Sequence, residues 1–415
     1  MIKFWWETEF KETEIGKIPE DWEVKKMRDL FKIESGRRPP EVNDNGKFEV
    51  WGANGFMGYT TSYNYCGEFL ITGRVGTLGH VFYIPENIKI WVSDNALIIT
   101  KDKDKVIVKL YFYYLKTRKG EIEELNVGST QPLITQRDLK EIKIPYPPPP
   151  EQSRIATVLS WFDDLIENKK RQNEVLEKVA MAIFKSWFVD FEPFKDEKFV
   201  YNEELGKEIP KGWKVKPIGE VADFVKGLSY RSNELVNNPT EGEIFITLKI
   251  FKRGGGFRPE YKYYKGNRYS EEQVVYDGDL VIALTDMTSD AKVVGAPALV
   301  ILPPDRNKGI LSLDAVKLNT PQYMKEYVYL YLKDSQEENS TFANGVNVLH
   351  LNLNLFKVGK FILIPPQPII QRFHSLVEPL FQKIILNQKQ IMVLRKIRDT
   401  LLPKLVFGKL RVEEI

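Results

Sequence analysis

Ile15-Gly16-Lys17-Ile18-Pro19-Glu20-Asp21-Trp22-Glu23-Val24 returns, with one residue inserted, as Leu205-Gly206-Lys207-Glu208-Ile209-Pro210-Lys211-Gly212-Trp213-Lys214-Val215. The correspondence then continues in order. Phe31-Lys32-Ile33-Glu34-Ser35-Gly36 loosely answers Asp223-Phe224-Val225-Lys226-Gly227, and Gly67-Glu68-Phe69-Leu70-Ile71 answers Gly278-Asp279-Leu280-Val281-Ile282. Tyr113-Tyr114-Leu115-Lys116 answers Leu330-Tyr331-Leu332-Lys333, and Lys143-Ile144-Pro145-Tyr146-Pro147 answers Leu363-Ile364-Pro365-Pro366. A repeat this long is no solenoid unit and reads as two homologous domains.

The 415 residues exceed what one hydrophobic core usually organises. A 43% hydrophobic and 28% charged composition is that of a soluble globular protein, and the run Val293 to Leu302 is too short to span a bilayer. Met1 to Trp6 is followed at once by acidic residues, so no secretory signal core is expected and a cytoplasmic location follows. Cys66 is the single cysteine, which excludes an internal disulfide and a cysteine-built metal cage. A net charge of +3 neither demands nor excludes nucleic acid.

Each half closes in a helix. Ile155, Phe162, Lys169, Leu176 and Ile183 recur every seven residues, joined three residues later by Val158, Leu165, Gln172, Val179 and Ser186. At a constant offset of 218 stand Phe373, Leu380, Asn387, Leu394 and Leu401. Both stripes are apolar at the ends and polar at Lys169 and Asn387, the pattern of helices packed along their length with a register-fixing polar layer. Pro147 to Pro150 bars continuation from the preceding strand, so the first helix should open at Glu151 and run to about Asp190, roughly 60 Å. The boundaries that follow are a first globular domain over 1–150, a helix over 151–190, a linker over 191–203, a second domain over 204–366, and a second helix with tail over 367–415.

Short β-rich stretches such as Phe69-Leu-Ile-Thr and Leu280-Val-Ile-Ala-Leu, interrupted by helices near Val106–Lys119 and Pro321–Lys333, point to α+β domains. The stretch from Lys249 to Arg268 carries Lys249, Lys252, Arg253, Arg258, Lys262 and Arg268 among aromatics and glycines. Such side chains neutralise phosphates and read guanine edges; the alternative is a solvated hairpin. In the first half Arg37, Arg38 and Arg74 are the counterparts, the last within Gly73-Arg-Val-Gly-Thr-Leu-Gly79, which lacks a P-loop ending. Catalytic apparatus is missing. His80, His350 and His374 have no metal-ligand spacing, Asn238-Pro239-Thr240 only approaches an amino-methyltransferase run, and Glu23-Val24-Lys25 and Glu141-Ile142-Lys143 are isolated charged triplets.

The repeated opening, Gly128-Ser129-Thr130-Gln131, the passage Ile144-Pro145 to Pro150-Glu151-Gln152, Trp187-Phe188-Val189-Asp190-Phe191-Glu192-Pro193 and Leu401-Leu402-Pro403-Lys404-Leu405 together resemble the DNA-specificity subunits of type I restriction-modification systems, over nearly the whole chain. The second copy departs at Ile370-Gln371, against Glu151-Gln152, and at Gly345-Val346-Asn347, against the Gly-Ser-Thr run. The resemblance implies two target-recognition domains that each read part of a split duplex DNA site, and a helix pair acting as a ruler. It implies a non-catalytic subunit without cofactor of its own. Two modification subunits would bind S-adenosylmethionine and methylate adenine, and an ATP-driven restriction subunit, with Mg, would complete the nuclease. A single-chain methyltransferase or nuclease, or a carbohydrate-binding protein, are the competing readings. Opposed readers imply a pseudo-twofold and antiparallel helices packed as a coiled coil, with Lys169 and Asn387 near the crossing point and Phe162 and Leu380 facing Leu394 and Leu176.

Overall fold

A computed structural model of the chain describes residues 3–5, 8–288, 290–346 and 348–414. Asn347 of the second glycine-led run, and Met1, Ile2 and Trp6 of the opening, lie outside them. The chain divides into two compact units, residues 1–165 with 394–415 and residues 166–393.

In unit 1 the strand Phe69–Gly73 is buried at every position, as the apolar run Phe69-Leu70-Ile71 that opens it favours. It sits in a four-stranded antiparallel sheet ordered Phe31–Ser35, Ala96–Lys101, Phe69–Gly73, Val81–Ile84. A second sheet orders Gly55–Thr60, Phe48–Gly52, Lys89–Val92, Tyr65–Cys66, with one parallel pair, 48–52 beside 89–92. Helices α1 (Met27–Leu30), α2 (Val108–Thr117), α3 (Lys119–Glu124) and α4 (Gln136–Glu141) complete it. Leu110, Tyr111, Tyr113, Tyr114 and Leu115 of α2 fill the core.

Unit 2 repeats this order. Asp223–Lys226, Ala315–Asn319, Leu280–Ala283 and Pro297–Leu299 form the antiparallel sheet. In its second sheet Glu243–Ile246 lies parallel to Gly309–Leu311, flanked by Lys262–Tyr264 and Val274–Val275. Between the long helices described next, α6 (Lys325–Asp334), α7 (Gln336–Ser340) and α8 (Leu353–Gly359) take the places of α2, α3 and α4. Unit 2 adds a three-stranded sheet, Thr285–Asp286, Leu349–Leu351, Ala343–Asn344. The fold is α+β in both halves.

The long helices are α5 (Pro149–Phe188) and α9 (Gln367–Val406), 40 residues each. The first begins two residues ahead of Glu151, because the first turn leaves N–H groups unpaired and so accepts prolines. In unit 1 the first turns of α5 share a core with the last turns of α9, through Ile155, Leu159, Leu402 and Leu405. In unit 2 the end of α5 packs with the start of α9, through Ala180, Phe184, Phe373 and Val377. The helices therefore run antiparallel. The second track of the seam differs from the sequence expectation. Leu165 and Val179 are 48% and 42% exposed, whereas the positions four residues after the first track, Leu159, Ile166 and Ala180, are buried. At 3.6 residues per turn both spacings return to one side of a helix; the packed partner decides which is covered.

The two openings are held differently. In unit 1 the Trp22 indole donates to Glu151 at 2.9 Å. That carboxylate, only 2% exposed, also accepts from Arg411 at 2.8 and 2.6 Å, and Arg411 forks onto Asp21 at 2.9 and 2.7 Å. Gln152 beside it accepts from the Ile107 N–H and donates to the Pro147 carbonyl. In unit 2 Trp213 lies among Phe188, Phe191 and Phe194, with ring centroids 6.0, 5.6 and 5.0 Å away.

Candidate nucleic-acid interface

Each unit brings two loops together at corresponding places. In unit 1 the loop after Phe69–Gly73 meets the loop between α3 and α4. Gly76 N–H donates to the Pro132 carbonyl at 2.9 Å, Ile134 N–H to the Arg74 carbonyl at 2.8 Å, and Val75 bridges Leu133. A Cβ on Gly73 would lie 1.9 Å from the Thr77 carbonyl oxygen, so this glycine serves a tight turn. In unit 2 the loop after Leu280–Ala283 meets the loop between α7 and α8, through the three-stranded sheet. Its root is Asp286, which accepts from the Thr288 N–H and hydroxyl and from the Val293 and Val294 N–H groups. Burial opposes ionisation there, but these donors hold the carboxyl below its ordinary value.

The loop between α3 and α4 and its counterpart contain the same turn. A Cβ on Gly128 would meet the Gln131 carbonyl oxygen at 2.0 Å, and one on Gly345 the Val348 carbonyl oxygen at 2.1 Å. Ser129 and Gln131 thus stand where Val346 and Val348 stand. Ser129, Thr130 and Gln131 are exposed polar groups. Val346 is 89% exposed, and Met287 on the facing loop 76%. The sequence reading missed Met287 and treated Val346 only as a departure; the shared glycine was the available signal.

The cations named from sequence are spread across these units. Arg37 and Arg38 are exposed just beyond Phe31–Ser35, with the Trp91 indole donating to the Arg37 carbonyl at 2.8 Å. Arg74 is half-buried and donates to the Asp94 carbonyl at 3.3 Å. In unit 2 the connection between Glu243–Ile246 and Lys262–Tyr264 holds a short 3-10 turn and a glycine turn and carries Lys249 to Arg258, where unit 1 has only the two residues between Gly52 and Gly55. Arg253 pairs with Asp290, Arg258 with Glu260 at 3.3 Å, and Arg268 with Glu234 at 2.5 Å. Exposed pairs of this kind are weak and exchangeable. Lys249 and Lys262 line a concavity of about 230 Å³ with Glu260, Tyr261 and Tyr263. Lys252 lies by the glycine turn, close to Glu177 and Lys333.

The polar layer lies within unit 2. Asn387, fully buried, donates to Gln172 at 3.2 Å and Asn173 at 3.0 Å, and Lys169 donates to Gln390 at 2.6 Å. The bonds thus run from Lys169 and Asn387 to other residues rather than between the two. The amide oxygen of Asn387 has no partner.

Among the described residues no cluster of His, Cys, Asp or Glu could hold a metal, and no helix is long and apolar enough to cross a membrane. Glu23 pairs with Lys25, Glu141 with Lys26 and Arg28, and His374 with Glu326 at 2.7 Å.

The family profile "Type I restriction modification DNA specificity domain" matches residues 19–178. The type I restriction enzyme MjaIX specificity subunit of Methanocaldococcus jannaschii is 40% identical across 100% of this chain and 99% of its own length. The HindI specificity subunit of Haemophilus influenzae is 21% identical across 80% and 84%. Among solved structures, a type I restriction-modification S subunit from M. genitalium superposes with a TM-score of 0.60 at 20% identity, covering 92% of this chain and 96% of that one.

Proposed function

The chain belongs to the type I restriction enzyme specificity subunits and so confers DNA sequence specificity, and from that premise we propose that it reads a bipartite duplex site, one recognition domain per half. The domains are 1–150 and 204–366, joined by the helices of 151–190 and 367–415 through the linker 191–203. The observation that supports this is the order shared by the four-stranded antiparallel sheets, and by the four common strands of the second sheets, in two units that each contain part of both long helices. Two readers of one architecture fit two half-sites, and helices of roughly 60 Å span about 17 base pairs.

Arg37, Arg38 and Arg74, and Lys249, Lys252, Arg253, Arg258, Lys262 and Arg268, supply phosphate and base contacts, their carboxylate partners yielding to phosphate oxygens. The polar layer at Lys169 and Asn387 fixes helix register. The chain itself is non-catalytic. Modification subunits dock on the helices, where the exposed pair Val175 and Val179 on α5 recurs as Val393 and Ile397 on α9 at the offset of 218; a repeated apolar surface suits two copies of one partner. S-adenosylmethionine belongs to those subunits, and ATP and Mg to a restriction subunit, in the cytoplasm. The comparisons do not favour a single-chain enzyme or a carbohydrate binder.

Selection of bound duplexes from a random pool tests the reading. The expected result is two short motifs at fixed separation; a single contiguous motif overturns it. Inserting four residues near Lys169, about 6 Å of helix, should lengthen the preferred spacer by one or two base pairs and leave both motifs unchanged.

A further inference from the structure

The two glycine turns share one backbone and differ in what they display. In unit 1 Ser129, Thr130 and Gln131 offer hydroxyl and amide groups. In unit 2 the same turn raises Val346 into solvent, at the end of the three-stranded sheet where the Met287 loop also emerges, since Asp286 pairs with Leu349. These are the most exposed large apolar side chains among the described residues. Neither touches a core. Beside them stand cations: Arg253 is ion-paired to Asp290, and the Lys292 carbonyl accepts from the Gly254 N–H at 2.7 Å, which ties the Lys252–Gly256 turn to the Met287 loop.

We propose that Val346 and Met287 read a thymine in the half-site faced by unit 2, packing against its C5-methyl group in the major groove, while Lys252, Arg253 and Lys292 hold the flanking phosphates. A base edge offers an apolar group in only one place, the thymine methyl of the major groove; the minor groove presents only hydrogen-bonding atoms to tell A·T from G·C. Two apolar tips flanked by cations match that surface in shape and charge. The matching turn of unit 1, with Ser129 and Gln131, reads its own half-site by hydrogen bonds. The proposal rests on the reading that each unit faces one half-site.

The test takes the full chain and the duplex selected from the random pool. Each thymine of both half-sites is replaced in turn by deoxyuridine, which removes only the methyl group. One replacement, in one half-site, should weaken binding about fourfold, the worth of one buried carbon. With Val346→Ser and Met287→Ala together, binding to the thymine duplex should fall to the uracil level and the replacement should then have no effect. Both residues are exposed, so thermal unfolding should be unchanged. Three results overturn the proposal: no thymine whose methyl matters, a methyl effect that survives in the double variant, or an increase in 2-aminopurine fluorescence beside the site, which would mark the side chains as wedges that unstack bases. A selected site that is not split would instead sink the one-unit-per-half reading.

Discussion

Trp22 and Trp213 occupy the same place in the repeated opening, yet one is held by charge and the other by rings. Trp22 donates to a buried carboxylate shared with Arg411, whereas Trp213 sits among three phenylalanines. The second copy needs no carboxylate: at the offset of 218 its helix start carries Ile369, packed on the core, and buried Ile370 in the places of Glu151 and Gln152. The repeat thus preserves where an indole must go and leaves open how it is held. A buried ion pair is costly to desolvate and costlier to break, while an apolar cluster tolerates similar volumes.

That contrast orders the expected effects. Glu151→Ala leaves Arg411 with Asp21 as its remaining partner and the Trp22 N–H with none, and should lower stability by about 3 kcal/mol in urea unfolding of the full chain; a loss under about 1 kcal/mol would show the carboxylate to be dispensable. Trp22→Phe should cost about 1–3 kcal/mol, because it leaves a buried acceptor short of one donor. Trp213→Phe should cost less than about 1.5 kcal/mol. Equal costs would erase the distinction between the units.

A smaller effect depends on pH. Burial raises the Glu177 pKa, but Lys333 and Tyr329 more than offset it, leaving the group below its ordinary 4.5. A carboxylate depressed in the folded state contributes stability above pH 4.5 that disappears as pH falls through the lower folded value. Glu177→Gln should therefore destabilise unit 2 by about 1–2 kcal/mol at pH 7, and the difference should close as pH falls below 4.5 and through the depressed folded-state value. A difference constant from pH 7 to 3 would assign the effect to packing. Smallest in stability is Arg268→Gln, whose partner Glu234 is part of an exposed pair. The urea midpoint should not move, while the slope of log affinity against log salt should fall by about one.

The helices and the repeat were legible because their signals are local: a seven-residue period, a proline run, and an opening told twice. The second seam track was misread because Leu165 and Leu159 are both apolar and only the packed neighbour separates them. The cationic stretch was legible as composition but not as structure. Its arginines meet Glu234 and Asp290, and the Asp290 contact crosses between loops that are distant in sequence and joined by the Gly254 N–H to Lys292 carbonyl bond. Met287 carries no mark in the sequence, since an exposed methionine and a core methionine are the same letter.

Asn387 also bears on how the chain avoids folding wrongly. A seven-residue repeat permits the helices to slide by one heptad and still bury an apolar stripe. Such a slip would set the Asn387 amide against Ile166 or Ala180, both buried, instead of Asn173 and Gln172. Its donors would then lose their bonds, at a cost of about 1–3 kcal/mol, which thins the misaligned population by roughly ten- to a hundredfold. One buried amide acts as a proofreading step in the chain's own assembly.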